Sequence, residues 1–283
     1  MRRRSIRILL LLGPALLAIL AWRFLHPPRT AVLPFRYNAV QGSIRFRVGG
    51  AEHTQMFELN TLLTKTAIGR RLYHELVQEE TGLDRLNPST DFALASYRIH
   101  LFYEEIEEAE LHPHTAGLIG VDLFAPYPGF EGQNRRMGAR ITLDFKKNLL
   151  KIEDGPTLEP LKLPEGTLQT PLFRDDVGRY YVLLPLNYGA SCRFVLGIGV
   201  RDVSLPTGAV VFPAPTGAGY VDAAGVVPIT LTLSGQDVTV LATALPGPQT
   251  IGVLGMTLLA NYRVVVDFRN PRLYLEPANS SPE

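Results

Sequence analysis

The chain has little of what usually announces a chemistry. Its 283 residues contain one cysteine, Cys192. No intrachain disulfide can form, which excludes a disulfide-stapled secreted scaffold and leaves the redox compartment open. Charge of neither sign is in excess, because 28 Lys and Arg face 27 Asp and Glu for a net +1. The basic footprint of a nucleic-acid binder is therefore missing, and no nucleic-acid partner is expected. Metal-ligand spacings are also absent. His112-Pro113-His114 follows five glutamates between Tyr103 and Glu110, but two histidines around a proline match no strong ligand pattern and read as a loop. No metal and no cofactor is expected. What the chain does have is a hydrophobic share of 46%, a charged share of 19%, 22 prolines and 25 glycines. Those proportions describe a globular, turn-rich, mainly β protein.

The N-terminal segment, residues 1–28, starts with Arg2, Arg3 and Arg4 and continues into an apolar run from Ile8 to Leu20 that extends towards Leu25. Two readings compete. A cleaved signal peptide needs a small-residue cleavage site, whereas Ala15, Ala18 and Ala21 fall three apart. A signal anchor needs about 20 apolar residues, which Ile6–Leu25 nearly supplies, with Trp22 at the interface. The anchor is preferred. With its basic end in the cytoplasm, the anchor exports everything after Pro27, to the periplasmic or extracellular side. His26–Thr30 reads as a stalk.

Beyond the stalk the sequence repeats itself. Gly117-Leu118-Ile119-Gly120 leads to a strand ending in Asp144-Phe145 and then to a second strand through Ile152. Gly252-Val253-Leu254-Gly255 leads to a short helix at Met256–Asn261 and a β-branched strand ending in Asp267-Phe268. Arg272–Leu275 follows. Asp144 and Asp267 hold equivalent strand ends and read as structural. The repeat divides the chain into lobe 1 (29–152), a Pro/Gly/Thr-rich linker (153–171), lobe 2 (172–276) and a polar tail (277–283). In lobe 1, Ile44–Val48 and Gln55–Leu59 form a hairpin around Gly49-Gly50. Ile68, Leu72, Leu76 and Val77 share one helical face, and Ala93–Phe102 is strand-like.

Each half also carries an earlier Asn-containing turn. Leu59-Asn60-Thr61 lies upstream of Gly120, and the apolar strand Leu183–Leu186 runs into Asn187-Tyr188-Gly189-Ala190-Ser191 upstream of Gly255. This second turn resembles the Asp-Thr-Gly-Ala-Ser active-site turn of the retropepsin-like and pepsin-like aspartic proteases. Gly252–Phe268 resembles the same family's glycine turn, helix and strand. The resemblance implies a bilobal β fold, one lobe per repeat, whose two turns meet at a central cleft. It also implies a shared-proton carboxylate pair at that cleft.

This chain departs from the pattern at the acids. On this alignment the dyad positions are Asn60 and Asn187, whose carboxamides neither ionise nor accept a proton from water. The resemblance makes Thr61, Tyr188, Gly189 and Ser191 the surrounding substrate-binding residues. The expectation is a degenerate, catalytically inactive pseudoprotease that holds an extended peptide or protein segment in its cleft. An active aspartic-type endopeptidase and a non-catalytic envelope scaffold are the alternatives.

Overall fold

The computed structural model describes residues 29–49, 54–77, 89–95, 97–125, 139–154, 158–186, 191–206, 226–245 and 251–278. The N-terminal apolar segment, residues 1–28, lies outside them. Among the described residues no helix is long and apolar enough to cross a membrane.

The first half supplies β1 (Arg29–Asn38), β2 (Ser43–Gly49), β3 (Thr54–Leu59), β4 (Thr66–Gly69), α1 (Arg70–Val77), β5 (Ser89–Leu94), β6 (Tyr97–Ile106), β7 (Gly117–Ile119), β8 (Ala139–Asp144) and β9 (Leu149–Asp154). The second supplies β10 (Leu168–Pro171), β11 (Phe173–Arg174), β12 (Tyr180–Pro185), β13 (Ser191–Leu196), β14 (Val203–Pro206), β15 (Val226–Leu233), β16 (Gln236–Leu245), β17 (Ile251–Leu254), α2 (Met256–Leu259), β18 (Tyr262–Asp267) and β19 (Arg272–Pro277). The chain is mainly β, as its composition indicates.

The two halves wind identically. Lobe 1 has strand order β1-β2-β3-β7-β4-β6-β5, and lobe 2 has β11-β12-β13-β17-β14-β16-β15. The parallel pairs correspond as well: β3 with β7 matches β13 with β17, and β4 with β6 matches β14 with β16. Each lobe has a cross-link that curls its sheet, Gly49↔Ala93 in the first and Leu186↔Leu231 in the second. Apolar side chains fill both interiors, with Ile44, Phe46, Phe57 and Ile119 in lobe 1 and Val182, Phe194, Leu231 and Leu254 in lobe 2, all at most 1% exposed.

A further run of strands, β10-β19-β18-β8-β9-β1, joins the lobes. Its centre is the antiparallel contact of β8 with β18, in the register Ile141↔Val266, Thr142↔Val265 and Leu143↔Val264. Matching Ala139–Phe145 to Tyr262–Phe268 makes that register symmetric about Thr142 and Val265, so a pseudo-twofold axis passes there. Phe124 of lobe 1 stacks on Phe268 of lobe 2 at 5.9 Å, and Tyr180 meets Phe268 edge-on at 4.8 Å. The apolar core therefore continues across the junction.

Several boundaries differ from those expected. Arg29 and Thr30 belong to β1 and pair with Asp154 and Glu153, so the first lobe's strand begins inside the expected stalk. The expected linker contains the end of β9 and all of β10, which pairs with β19. Ile68 lies in β4 rather than on a helical face, because its four-residue spacing to Leu72 straddles the strand-to-helix junction. The expected strand Ala93–Phe102 is the meeting point of β5 and β6, broken at Ala95, whose φ is 53°.

Candidate functional site

The site expected at the lobe junction begins where β3 ends. The Asn60 N–H donates to Ile119 O (3.0 Å), and Val121 N donates to Leu63 O (2.9 Å), so the glycine turn after β7 underpins the Asn60 loop. The Asn60 side chain bends back, and its Oδ1 accepts the Leu62 N–H at 3.1 Å. That bond orients the carboxamide, because only the oxygen can accept a backbone N–H. Its Nδ2 takes no part in that bond.

The same bonds recur in lobe 2, but around a different residue from the one expected. Gly197 N donates to Leu254 O (3.1 Å), and Met256 N donates to Val200 O (2.7 Å). These match the Asn60 and Val121 bonds one for one. Adding 137 takes Phe57, Leu59, Asn60, Thr61 and Leu62 onto Phe194, Leu196, Gly197, Ile198 and Gly199. The counterpart of Asn60 is Gly197, not Asn187. The same offset takes Gly50, between β2 and β3, onto Asn187, between β12 and β13, at the opposite end of the strand. Asn187, Tyr188 and Gly189 lie outside the described residues. Ser191 is exposed and pairs with Pro185 at the start of β13. Six residues at about 3.3 Å each put it roughly 20 Å from Gly197, too far to serve the junction.

The turns after β3 and β13 do meet. Thr61 reaches across the junction: its Oγ1 donates to Leu196 O at 2.6 Å and accepts Ile198 N at 2.8 Å, while its own N–H donates to Ile198 O at 3.0 Å. Thr61 is 2% exposed. A buried hydroxyl engaged in both directions is satisfied within the protein, so Thr61 clasps the lobes. Its counterpart, Ile198, has no hydroxyl to reciprocate. Leu59 O instead meets Gly199, whose φ of +87° and close approach leave no room for a Cβ.

Nothing at the two matched positions can ionise. One is a carboxamide and the other has no side chain. The space a side chain would need at 197 is filled by Val253 Cγ1, which lies well inside van der Waals contact of an added Cβ. Asp122, a buried acid in the repeat, is engaged by Thr66, accepting from its N–H at 2.9 Å and from its hydroxyl at 3.0 Å. Its counterpart, Thr257, accepts Val203 N at 3.2 Å. Asp144 and Asp267 take turn N–H groups: Lys147 N at 2.9 Å, and Arg269 N and Asn270 N at 3.0 Å each. Both are structural. Asp267 is also 3.4 Å from Arg140 across the lobe boundary.

Two other sequence features resolve into surface and packing roles. The glutamates flank α1: Glu105 and Glu107 pair with Arg70, Glu104 pairs with Lys65, and Glu108 accepts Arg71 N. Cys192 is partly buried, and burial raises its thiol above the ordinary range, which makes it a poor nucleophile.

Sequence reasoning missed Gly197-Ile198-Gly199. Spacing was the available signal. Asn60 precedes Gly120 by 60 residues and Gly197 precedes Gly255 by 58, whereas Asn187 precedes it by 68.

No family model and no curated protein sequence matches the chain. Solved structures do match, among them soybean basic 7S globulin, a protein of pepsin-like fold. The likeness has a TM-score of 0.52 at 12% identity and covers 90% of this chain and 96% of that one. At that identity the likeness concerns the fold alone: the chain has a mainly β, bilobal fold similar to that of a pepsin-like protein.

Proposed function

We propose that the chain is a non-catalytic, aspartic-protease-like protein that binds an extended peptide or protein segment between its lobes. In this reading it is exported and held at a membrane by its N-terminal segment. The observation that supports it is the pair Asn60 and Gly197 at the pseudo-twofold axis. A hydrolase of this architecture needs two carboxyl groups there, one to take a proton from water and one to give a proton to the scissile carbonyl. Losing a general base alone costs about two to four orders of magnitude in rate, and here the second acid has also gone, with Val253 in its place. The lobe scaffold and the Thr61 clasp remain, which is what a binding cleft requires. An extended segment can add to exposed strand edges, with backbone hydrogen bonds supplying affinity. The anchor reading rests on Arg2–Arg4 followed by the apolar run.

The test is to incubate the full chain with an unstructured protein from acidic to neutral pH and to titrate it with labelled extended peptides. The expected result is saturable peptide binding with no pepstatin-sensitive cleavage. Cleavage that pepstatin abolishes would overturn the proposal.

A further inference from the structure

The vacated dyad leaves behind hydrogen-bond donors. In lobe 1 the turn N–H of Leu62 is claimed by Asn60 Oδ1. The matching N–H in lobe 2, that of Gly199, has no side chain at 197 to receive it, and among the described residues it donates to nothing. Gly199 is half-exposed, and its backbone lies against Leu59 O and the Asn60 Cα. Asn60 adds a second donor, since its oxygen is occupied and, among the described residues, its Nδ2 donates to nothing. Neither group carries charge. Arg201, exposed two residues beyond Gly199, contributes a cation that Asp202 at 3.5 Å partly offsets.

An intact carboxyl pair with one shared proton is net negative and repels an anion at this point. Neither matched position carries an ionisable group, and Asn60 Nδ2 and the Gly199 N–H of the facing turn are N–H donors of the kind that stabilise an oxyanion. We infer that the junction of the Asn60 and Gly199 turns receives a carboxylate of the bound segment, with Asn60 Nδ2 and Gly199 N as its donors. The inference rests on the cleft-binding reading and specifies its ligand chemistry. The carboxylate could be the end of a chain or an acidic side chain.

The test uses the full chain with short fluorescein-labelled peptides. Each is made with a C-terminal carboxylate or carboxamide, and with Asp and Glu kept or replaced by Asn and Gln. Wild type should bind at least one carboxylate-bearing form about tenfold or more tighter than its neutral partner, the size of a hydrogen bond to a charged group. Which neutral replacement loses affinity tells a chain end from an acidic side chain. Asn60→Ala should erase that preference, and Asn60→Asp should invert it. Asn60→Asp keeps an oxygen for Leu62 N, so it serves if Asn60→Ala fails to fold. Equal binding of charged and neutral forms, or a preference that survives Asn60→Asp, overturns the inference and leaves cleft binding standing. Failure of every peptide to bind wild type overturns both.

Discussion

The two lobes share one winding and differ where they meet. On the lobe 1 side the turn is Asn60-Thr61-Leu62, and on the lobe 2 side it is Gly197-Ile198-Gly199. Lobe 1 keeps a polar side chain at the axis and a hydroxyl that bonds twice across the junction. Lobe 2 keeps neither, and fills the space with backbone and Val253. The backbone bonds beneath each turn are nevertheless the same, Asn60 N to Ile119 O and Gly197 N to Leu254 O. The backbone scaffold beneath the turn is thus more alike in the two lobes than the groups the turn presents.

The largest break in the comparison should come at Gly199. Its counterpart, Leu62, accepts a full side chain, but Gly199→Ala forces a Cβ onto Leu59 O in a left-handed backbone. Strain and overpacking together should cost about 4 kcal/mol in chemical denaturation, while Leu62→Gly should cost far less. Thr61→Val comes next. It leaves Leu196 O and Ile198 N unpaired in a buried junction, for a loss of about 3 kcal/mol; the mirror change Ile198→Thr should move stability by less than about 1 kcal/mol, by the same measurement. A smaller effect sharpens the catalytic contrast. Gly197→Asp should destabilise by about 2 kcal/mol through collision with Val253, and Val253→Ala in the same chain should recover most of it. Asn60→Asp with Gly197→Asp should show no turnover of an unstructured protein while Val253 remains.

The smallest difference is between Glu58 and its counterpart Val195. Burial raises the Glu58 carboxyl above its ordinary 4.5, and His112 and Arg45 pull it partly back. An acid whose native value is raised favours the folded state when protonated. Its penalty is absent in acid and grows as pH climbs through that raised value. Glu58→Gln should therefore gain less than about 1 kcal/mol over wild type at neutral pH and nothing in acid, as melting across pH would show.

Much of this was legible in the sequence. Val264–Val266 is a β-branched run bounded by turn formers, and its Asp-Phe ending is shared with Leu143–Phe145. That repeat located β8, β9, β18 and β19 and implied two lobes. Asn60 and the glycine turn beneath it also lie as read. The second turn was misplaced because Gly189-Ala190-Ser191 resembles an active-site loop, whereas Gly197-Ile198-Gly199 resembles none. A Gly-Ile-Gly turn carries no composition signal, and only strand register shows the correspondence. Thr61 was read as a substrate-binding residue and not as one that clasps the other lobe, because its partners, Leu196 O and Ile198 N, are backbone atoms 135 and 137 residues away.

The register of β8 against β18 reaches further than the packing it provides. Thr142 faces Val265, the residue that stands in its own place in the other repeat. A strand whose partner is its own equivalent is what a symmetric homodimer presents, since an isologous interface pairs each position with its mate. Each lobe thus carries one half of a self-matching edge, and the present chain is a dimer written in a single polypeptide. Two separately synthesised halves, divided within residues 155–167, would carry complementary edges for reassembly, and an isolated lobe would be drawn to a second copy of itself through the same strand.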